Sequence, residues 1–357
     1  MPTYIYIYSI TSARKPTRSS TISLSLQNHQ DFIMDTSTYK TVTTSRGYEY
    51  SYYVSAQKGP KFPVLFLHGF PDYADMWTEQ IKAFEQQGHT CIAPDMLGYG
   101  KTAKPLDGEA YNSEGISQDV ADILEAENVS KALIVGHDWG AYLAGRFVNW
   151  QPSKSLGLVV TNVAHRAPTE INLPDANARL KATLGYEPLG YWAFMVQPDG
   201  PALIEDKIES FFSLLFAEDD SIWKTDLTPT GKLEEWLKVD RKAQIASYIT
   251  PETKSHIIRR WLEDGFAGKV GWYKAMMENT HWNHEKKLTA DAIRIKVPAL
   301  FLGGARDAPA PAVLGELAMK PLCDDYTGVT IDSAHWMLRE RPQEWLENVQ
   351  DWIQKKF

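Results

Sequence analysis

The feature that most constrains the fold is an apolar run that leads directly into a glycine-flanked acidic turn and then a helix-like segment. Ala132 to Val135 is apolar, and residues 136–141 read GHDWGA. A small-x-acid-x-small pattern between a strand and a helix is typical of a turn that holds its central residue in a strained conformation. Small neighbours are needed because strand and helix pass close together. The pattern predicts that Asp138 is presented as a nucleophile, although a glycine-rich turn with an N-capping aspartate has the same letters.

Strand-like and helix-like segments alternate on both sides of this turn. Tyr39 to Ser55 alternates β-formers and polar residues around Arg46-Gly47, which predicts a hairpin. Further buried strands are predicted at 62–67, 90–93, 132–135 and 158–160, and helices at 76–87 and 113–127, the latter capped by Ser113. This alternation predicts a mostly parallel sheet with helices on both faces.

The alternation is interrupted once, by a long aromatic-rich segment with helical periodicity. Its clearest helices are predicted at 207–216 and 257–263. Strand patterns return at 297–302 and 329–331, and a final helix is predicted at 342–355. We therefore predict one α/β domain, formed by residues 36–165 and 291–357, with a helical lid inserted at 166–290.

The first 30 residues contain no aspartate or glutamate. The apolar stretch Tyr4 to Ile10 is short and follows no positive residue, so it is a poor secretory signal. Arg14, Lys15 and Arg18 among serines and threonines weakly resemble a transit peptide. We predict that residues 1–35 are a disordered extension; an upstream start before Met34 and a targeting segment stay open as alternatives.

Charge, hydrophobicity and cysteine content argue against several classes of binding partner and cellular location. The net charge is −8 and no long basic run occurs, so nucleic acid and anionic membrane surfaces are poor partners. No run of about 18 apolar residues is present, so no transmembrane helix is expected. Only two cysteines, Cys91 and Cys323, occur, both in apparent core segments. A reducing, cytoplasmic location is the corresponding expectation.

Three further motifs complete a candidate site around Asp138. Residues 67–72 read LHGFPD after a buried strand, where backbone N–H groups of Phe70 and Trp139 would form an oxyanion hole. Asp307 ends the segment GGARD, and His335 lies in DSAHW after the next strand. An Asp alone at a strand end is more often a turn residue, and a lone His is more often structural. The order Asp138, Asp307, His335 nevertheless matches nucleophile, acid and base.

Taken together, HGFP at 68–71, GHDWG at 136–140, Asp307 and His335 resemble the soluble epoxide hydrolases of the α/β-hydrolase superfamily, over about residues 40–357. The resemblance implies the α/β-hydrolase fold with a helical lid, neither cofactor nor metal, and a cis peptide bond before Pro71. It also implies two lid tyrosines. GWY at 271–273 matches the second motif and YWAFMVQP at 191–198 resembles the first, which makes Tyr273 and Tyr191 the candidates.

The lid residues also allow other interpretations. Tyr186 competes with Tyr191, and all these tyrosines could be packing residues in a lid rich in aromatic side chains. His281 and His284, three residues apart and near Glu285, have a spacing that metal ligands can have, but no third site with suitable spacing is evident, so a solvated loop is expected. Residues 218–220, with the sequence EDD, are expected to form an exposed turn.

An aspartate nucleophile restricts the reaction. Attack on an acyl carbon would give a mixed anhydride, whereas displacement at saturated carbon gives an alkyl-enzyme ester, which divides one hard step into two. Epoxides and alkyl halides are therefore the natural substrates. Two phenol donors suit the alkoxide that forms as an epoxide opens.

The alternatives are a dehalogenase or a non-catalytic ligand receptor on the same fold. Haloalkane dehalogenases commonly have a polar residue where this chain has Phe70, and fluoroacetate dehalogenases have an arginine where it has Trp139. The expectation is thus an epoxide hydrolase that converts an apolar epoxide and water to a vicinal diol. An apolar pocket is indicated by aromatic residues of the lid: Tyr186, Tyr191, Trp192, Phe194, Phe211, Phe212 and Trp223.

Overall fold

The computed structural model describes Met34 and residues 36–357, so the extension predicted for residues 1–35 lies, apart from Met34, outside the described residues. Eight strands form one sheet in the order β1-β2-β4-β3-β5-β6-β7-β8. β1 and β2 form the predicted hairpin, β2 pairs antiparallel with β4, and all other neighbours are parallel. The strands are β1 Lys40–Thr43, β2 Glu49–Val54, β3 Val64–Leu67, β4 Cys91–Pro94, β5 Ala132–His137, β6 Ser155–Thr161, β7 Ala299–Gly304 and β8 Tyr326–Ile331.

Helices cover both faces of this sheet, as the apolar runs predict. On β3, Leu65 enters one apolar cluster while Val64 and Phe66 enter the other, so successive side chains are buried on opposite faces. The mostly parallel α/β fold is therefore confirmed. The helices of this part are α1 Thr78–Gln86, α2 Ser113–Ala126, α3 Trp139–Trp150, α13 Ala312–Met319, α14 Met337–Glu340 and α15 Pro342–Lys356.

The predicted cap of α2 is wrong by one residue. Asn112 is the N-cap, because its side chain accepts a hydrogen bond from the Gly115 N–H at 2.7 Å. The Ser113 hydroxyl instead donates to Glu285 at 2.7 Å. The sequence offers two good capping residues in a row, and only the tertiary partner of Ser113 distinguishes them.

A helical region interrupts the sheet between β6 and β7. All residues from Thr161 to Ala299 are described, and none of them adds a strand to the sheet. We propose that residues 166–290 of this region form the lid and that residues 36–165 and 291–357 form the core. The α-helices between β6 and β7 are α4 Leu173–Leu184, α5 Trp192–Met195, α6 Gly200–Asp206, α7 Ile208–Leu215, α8 Lys232–Lys238, α9 Pro251–Asp264, α10 Gly271–Met277, α11 Thr280–Glu285 and α12 Ala290–Ile293. No described helix is long and apolar enough to cross a bilayer.

Two buried ionic clusters connect the helical region to the sheet domain. Arg260 of α9 pairs with Asp75 at 2.7 Å and with Asp95 at 2.9 Å. Arg146 of α3 pairs with Glu285 of α11 at 2.8 Å, and each side chain is almost inaccessible. These charges need one another, because an unpaired charge in this environment would be costly.

The predicted solvated loop around His281 and Glu285 is wrong. Both residues lie on α11 and are buried, and the charge of Glu285 is balanced by Arg146. Among the described residues no group of His, Cys, Asp and Glu could hold a metal ion. In the acidic turn, Glu218 and Asp219 are exposed, as expected, whereas Asp220 is half-buried and pairs with Arg306 at 2.8 Å.

We predict that Arg146→Met lowers the free energy of unfolding by about 3–5 kcal/mol, because it leaves the Glu285 carboxylate buried and unpaired. The double variant Arg146→Met/Glu285→Leu should recover most of this loss. Urea unfolding monitored by circular dichroism measures both. Lys232→Met is the control, since Lys232 pairs with Glu235 on the surface and should cost less than about 1 kcal/mol. Equal losses in the single and double variants would contradict the argument.

Candidate active site

The turn after β5 holds Asp138 in a conformation that non-glycine residues rarely adopt, with φ 53° and ψ −123°. Glycines on either side make this possible. A Cβ on Gly136 would lie 2.3 Å from the Gly140 carbonyl oxygen, and one on Gly140 would lie 2.1 Å from the Leu67 carbonyl oxygen. The small-x-acid-x-small pattern therefore reflects the close passage of β5, α3 and the end of β3.

The two oxygens of the Asp138 carboxylate have different surroundings. The Phe70 N–H donates to Oδ1 at 2.8 Å. Burial raises the pKa of Asp138, and hydrogen bonds from the Trp139 and Phe70 N–H groups act in the opposite direction. Oδ2 faces the imidazole of His335, whose Nε2 lies 3.7 Å away. One oxygen is thus held by the backbone, and the other points to the histidine.

His335 is held by a buried acid. Its Nδ1–H donates to Asp307 Oδ2 at 2.9 Å, which leaves Nε2 directed at Asp138. Burial lowers the pKa of the His335 imidazole, but the carboxylates of Asp307 and Asp138 outweigh burial and raise it. The structure therefore brings together the three residues that the sequence proposes, at the carboxyl ends of β5, β7 and β8.

Two side chains that sequence analysis missed support this arrangement. Asn162, which follows β6 with φ 66°, donates through Nδ2 to Asp307 Oδ2 at 2.5 Å. His137 donates through Nε2 to the His335 carbonyl oxygen at 2.9 Å. The available signal for Asn162 was a polar residue directly after a buried strand, whereas His137 is the last residue of β5.

Tyr191 and Tyr273 both lie beside Asp138. Their ring centroids are 5.9 Å apart, and the Tyr273 ring stands edge-on to that of Phe70 at 5.1 Å. Burial and then the charge of Asp138 raise the pKa of Tyr191, so its hydroxyl stays protonated and can donate. The competitor Tyr186 is occupied elsewhere, because its hydroxyl donates to the Ala308 carbonyl oxygen at 2.7 Å.

Two spaces have Asp138, Tyr191 and His335 in their walls. The larger is a cavity of about 400 Å³ that extends between α4 and α13. The smaller, about 30 Å³, lies against Phe70, Tyr273 and the His335 imidazole. Such a volume holds little more than a water molecule or a small substituent. The arrangement can hold an apolar molecule in one space and a water or small group in the other.

Comparison with known proteins identifies relatives along most of the chain. A model of the alpha/beta hydrolase fold family matches residues 63–342. Epoxide hydrolase A of Mycobacterium tuberculosis is 27% identical over 315 residues, which cover 80% of this chain and 88% of that protein. Epoxide hydrolase 3 of Siraitia grosvenorii is 26% identical over 303 residues, which cover 82% and 92% of the two chains.

Solved structures agree with the fold. The crystal structure of epoxide hydrolase A from Mycobacterium thermoresistibile superposes with a TM-score of 0.73 at 25% identity and covers 88% of this chain and 98% of that chain. A mutant of potato epoxide hydrolase gives a TM-score of 0.70 at 26% identity, with coverage of 89% and 99%.

We predict that Asp307→Asn lowers the pKa of His335, because it removes the carboxylate that contributes most to raising it. An NMR titration of the imidazole protons checks this. Asp332→Asn is the control, since Asp332 lies nearby but is exposed and pairs with Arg306. An unchanged His335 titration in Asp307→Asn would show that the pair does not exist in solution.

Proposed function

The chain belongs to the α/β-hydrolase family, and we propose that it is an epoxide hydrolase that converts an apolar epoxide to a vicinal diol through an ester on Asp138. The observation that carries the proposal is the surroundings of the Asp138 carboxylate. Oδ1 is bound by a backbone donor, Oδ2 is 3.7 Å from His335 Nε2, and two tyrosines line the same space. Relatives named epoxide hydrolases support the same reaction.

In the first step, Asp138 Oδ2 attacks an epoxide carbon, and the bond from that carbon to the oxirane oxygen breaks. The bonding electron pair moves to the oxygen, which takes a proton from Tyr191 or Tyr273. Phenol donors that are already oriented in a water-poor space stabilise this charge without reorganising. The product is an alkyl ester of Asp138, and no acyl group is transferred.

In the second step, His335 Nε2 removes a proton from water, and the water oxygen attacks Cγ of the ester. Negative charge collects on Oδ1, where the Phe70 and Trp139 N–H groups receive it. Asp307 stabilises the imidazolium that forms. The intermediate then expels the second diol oxygen, which takes the proton held by His335, and the other proton of the water passes from the Asp138 carboxyl to the tyrosinate. The net change is the addition of one water to the epoxide.

The leaving-group environment favours an epoxide over a halide. A halide leaves as an anion that needs N–H donors and no proton, whereas an alkoxide is a poor leaving group unless it is protonated. Tyr191 and Tyr273 provide hydroxyl donors beside Asp138, and Phe70 contributes only its backbone donor and an apolar ring.

We predict that His335→Gln forms the ester once and then stalls, because only the second step uses the imidazole as a base. Intact-protein mass spectrometry should show a gain equal to the mass of the epoxide, and peptide mapping should assign it to Asp138. Asp138→Asn is the control and should give no adduct. Ordinary steady-state turnover by His335→Gln, or no adduct with any epoxide tried, would contradict the mechanism; the latter is expected of a ligand receptor.

We predict that Tyr191→Phe and Tyr273→Phe each slow epoxide opening by about 100- to 1,000-fold, as loss of other preorganised donors does. The double variant should nearly abolish it, while any haloalkane turnover should be much less affected. Pre-steady-state rates of ester formation on both substrate types measure this. Tyr186→Phe is the matched control, because its hydroxyl binds a backbone carbonyl instead. Equal losses on both substrates would assign the tyrosines to packing.

A further inference from the structure

One carboxylate that the proposed chemistry does not use joins the two loops that carry the acid and the base. Glu340, the last residue of α14, accepts a hydrogen bond from the Ala334 N–H through Oε2 at 2.8 Å. Its Oε1 accepts a second one from Nη2 of Arg306. Ala334 directly precedes His335 in the chain, and in the same way Arg306 precedes the triad acid, Asp307. A single side chain therefore contacts the residue before the base and the residue before the acid.

The base loop, residues 332–336, connects β8 to α14 and belongs to neither of them. Its backbone groups therefore depend on individual partners and not on a strand ladder or a helix. The His335 carbonyl oxygen accepts a hydrogen bond from His137 Nε2 at 2.9 Å. On the other side of the imidazole's attachment point, the Ala334 N–H donates to Glu340. Side chains thus hold the loop on both sides of the base, and the carboxylate supplies the charge-assisted contact.

Water competes little for the Glu340 carboxylate, because only 11% of this side chain is exposed. Hydrogen bonds to a carboxylate in such surroundings are stronger than those between neutral groups. Arg306 balances its charge and is also paired with Asp220 at 2.8 Å and with Asp332. Removal of the Glu340 carboxylate would leave the guanidinium with these two other partners, so it would not create an unpaired charge that could prevent folding.

We propose that Glu340 is a positioning residue for the second step: by holding the base loop to Arg306, it fixes the imidazole of His335 relative to the triad acid and the ester. This inference rests on the proposed function, in which that imidazole is the base. Glu340 lines neither of the two spaces beside Asp138, so it acts through the loop and does not touch the reacting atoms. His335 Nε2 lies 3.7 Å from Asp138, and a displacement of about 1 Å would misplace the base.

Single-turnover kinetics of Glu340→Ala test this proposal, because the imidazole acts as a base only in the second step. We expect ester formation on Asp138 at nearly the wild-type rate and ester hydrolysis slowed by about 10- to 100-fold. The ester then accumulates, so kcat and KM fall together and kcat/KM stays nearly constant. Loss of folded protein would instead lower kcat at constant KM, and circular dichroism measures that loss independently. Equal slowing of both steps, or of neither, would overturn the proposal.

Two further variants separate the loop contact from the charge. Glu340→Gln keeps an amide oxygen that can accept from the Ala334 N–H, so it should recover most of the lost hydrolysis rate. Asp332→Asn is the matched control, because Asp332 also binds Arg306 but is exposed. It leaves the contact between Glu340 and the base loop in place and should leave both steps unchanged. Equal slowing in Asp332→Asn and Glu340→Ala, or no recovery in Glu340→Gln, would show that the charge beside Arg306 matters and would refute positioning through the loop.

The imidazole also provides a measurement that needs no epoxide and so separates this proposal from the function it rests on. In wild type the His335 Nδ1–H, which is bound to Asp307 at 2.9 Å, should give a downfield proton NMR resonance that exchanges slowly with water. Glu340→Ala should broaden or remove this resonance, and Glu340→Gln should retain it. That result without turnover of any epoxide would support positioning by Glu340 and refute the epoxide hydrolase. Epoxide turnover with an unchanged resonance and unchanged ester hydrolysis in Glu340→Ala would do the reverse.

Discussion

The arrangement of the site depends on one buried carboxylate that is held by backbone N–H groups. Burial alone would favour the protonated form of Asp138, which is a poor nucleophile, and hydrogen bonds from Phe70 and Trp139 oppose this. Those donors come from two separate loops, after β3 and at the start of α3. The strained turn, the adjacent glycines and the parallel order of β3 and β5 bring both loops to the Asp138 carboxylate.

Under the proposed mechanism, the helical region contributes hydroxyl donors to the reaction and also covers the site. Tyr191 and Tyr273 reach the site from different parts of it, so their hydroxyl positions depend on how firmly the region is attached. The buried pairs of Arg260 and Arg146 fix it at two places. Because these pairs are buried, moving the helical region away from the sheet would leave charged side chains without their partners. The free-energy cost of that separation opposes large displacements of the region.

Much of the fold could be predicted from local patterns, because strands buried on both faces are continuous apolar runs, and Asp138, Asp307 and His335 each come shortly after such a run. Contacts between residues that are distant in the chain could not be predicted in this way. The pairing of Arg146 with Glu285 joins residues far apart in sequence, so no local pattern distinguishes α11 from the solvated loop that was predicted there. The role of Asn162 is not predictable for the same reason, because it depends on the Asp307 carboxylate that the fold places opposite it.

The unequal surroundings of the two Asp138 oxygens determine which of the two atoms is replaced during turnover. Under the proposed mechanism, Oδ2 leaves with the diol and an oxygen from water replaces it, while Oδ1 stays bound to the Phe70 N–H. In water labelled with heavy oxygen, the protein would thus acquire the label at one carboxylate position and keep its original atom at the other. A backbone hydrogen bond would in this way divide a chemically symmetric group into a permanent atom and a renewable one.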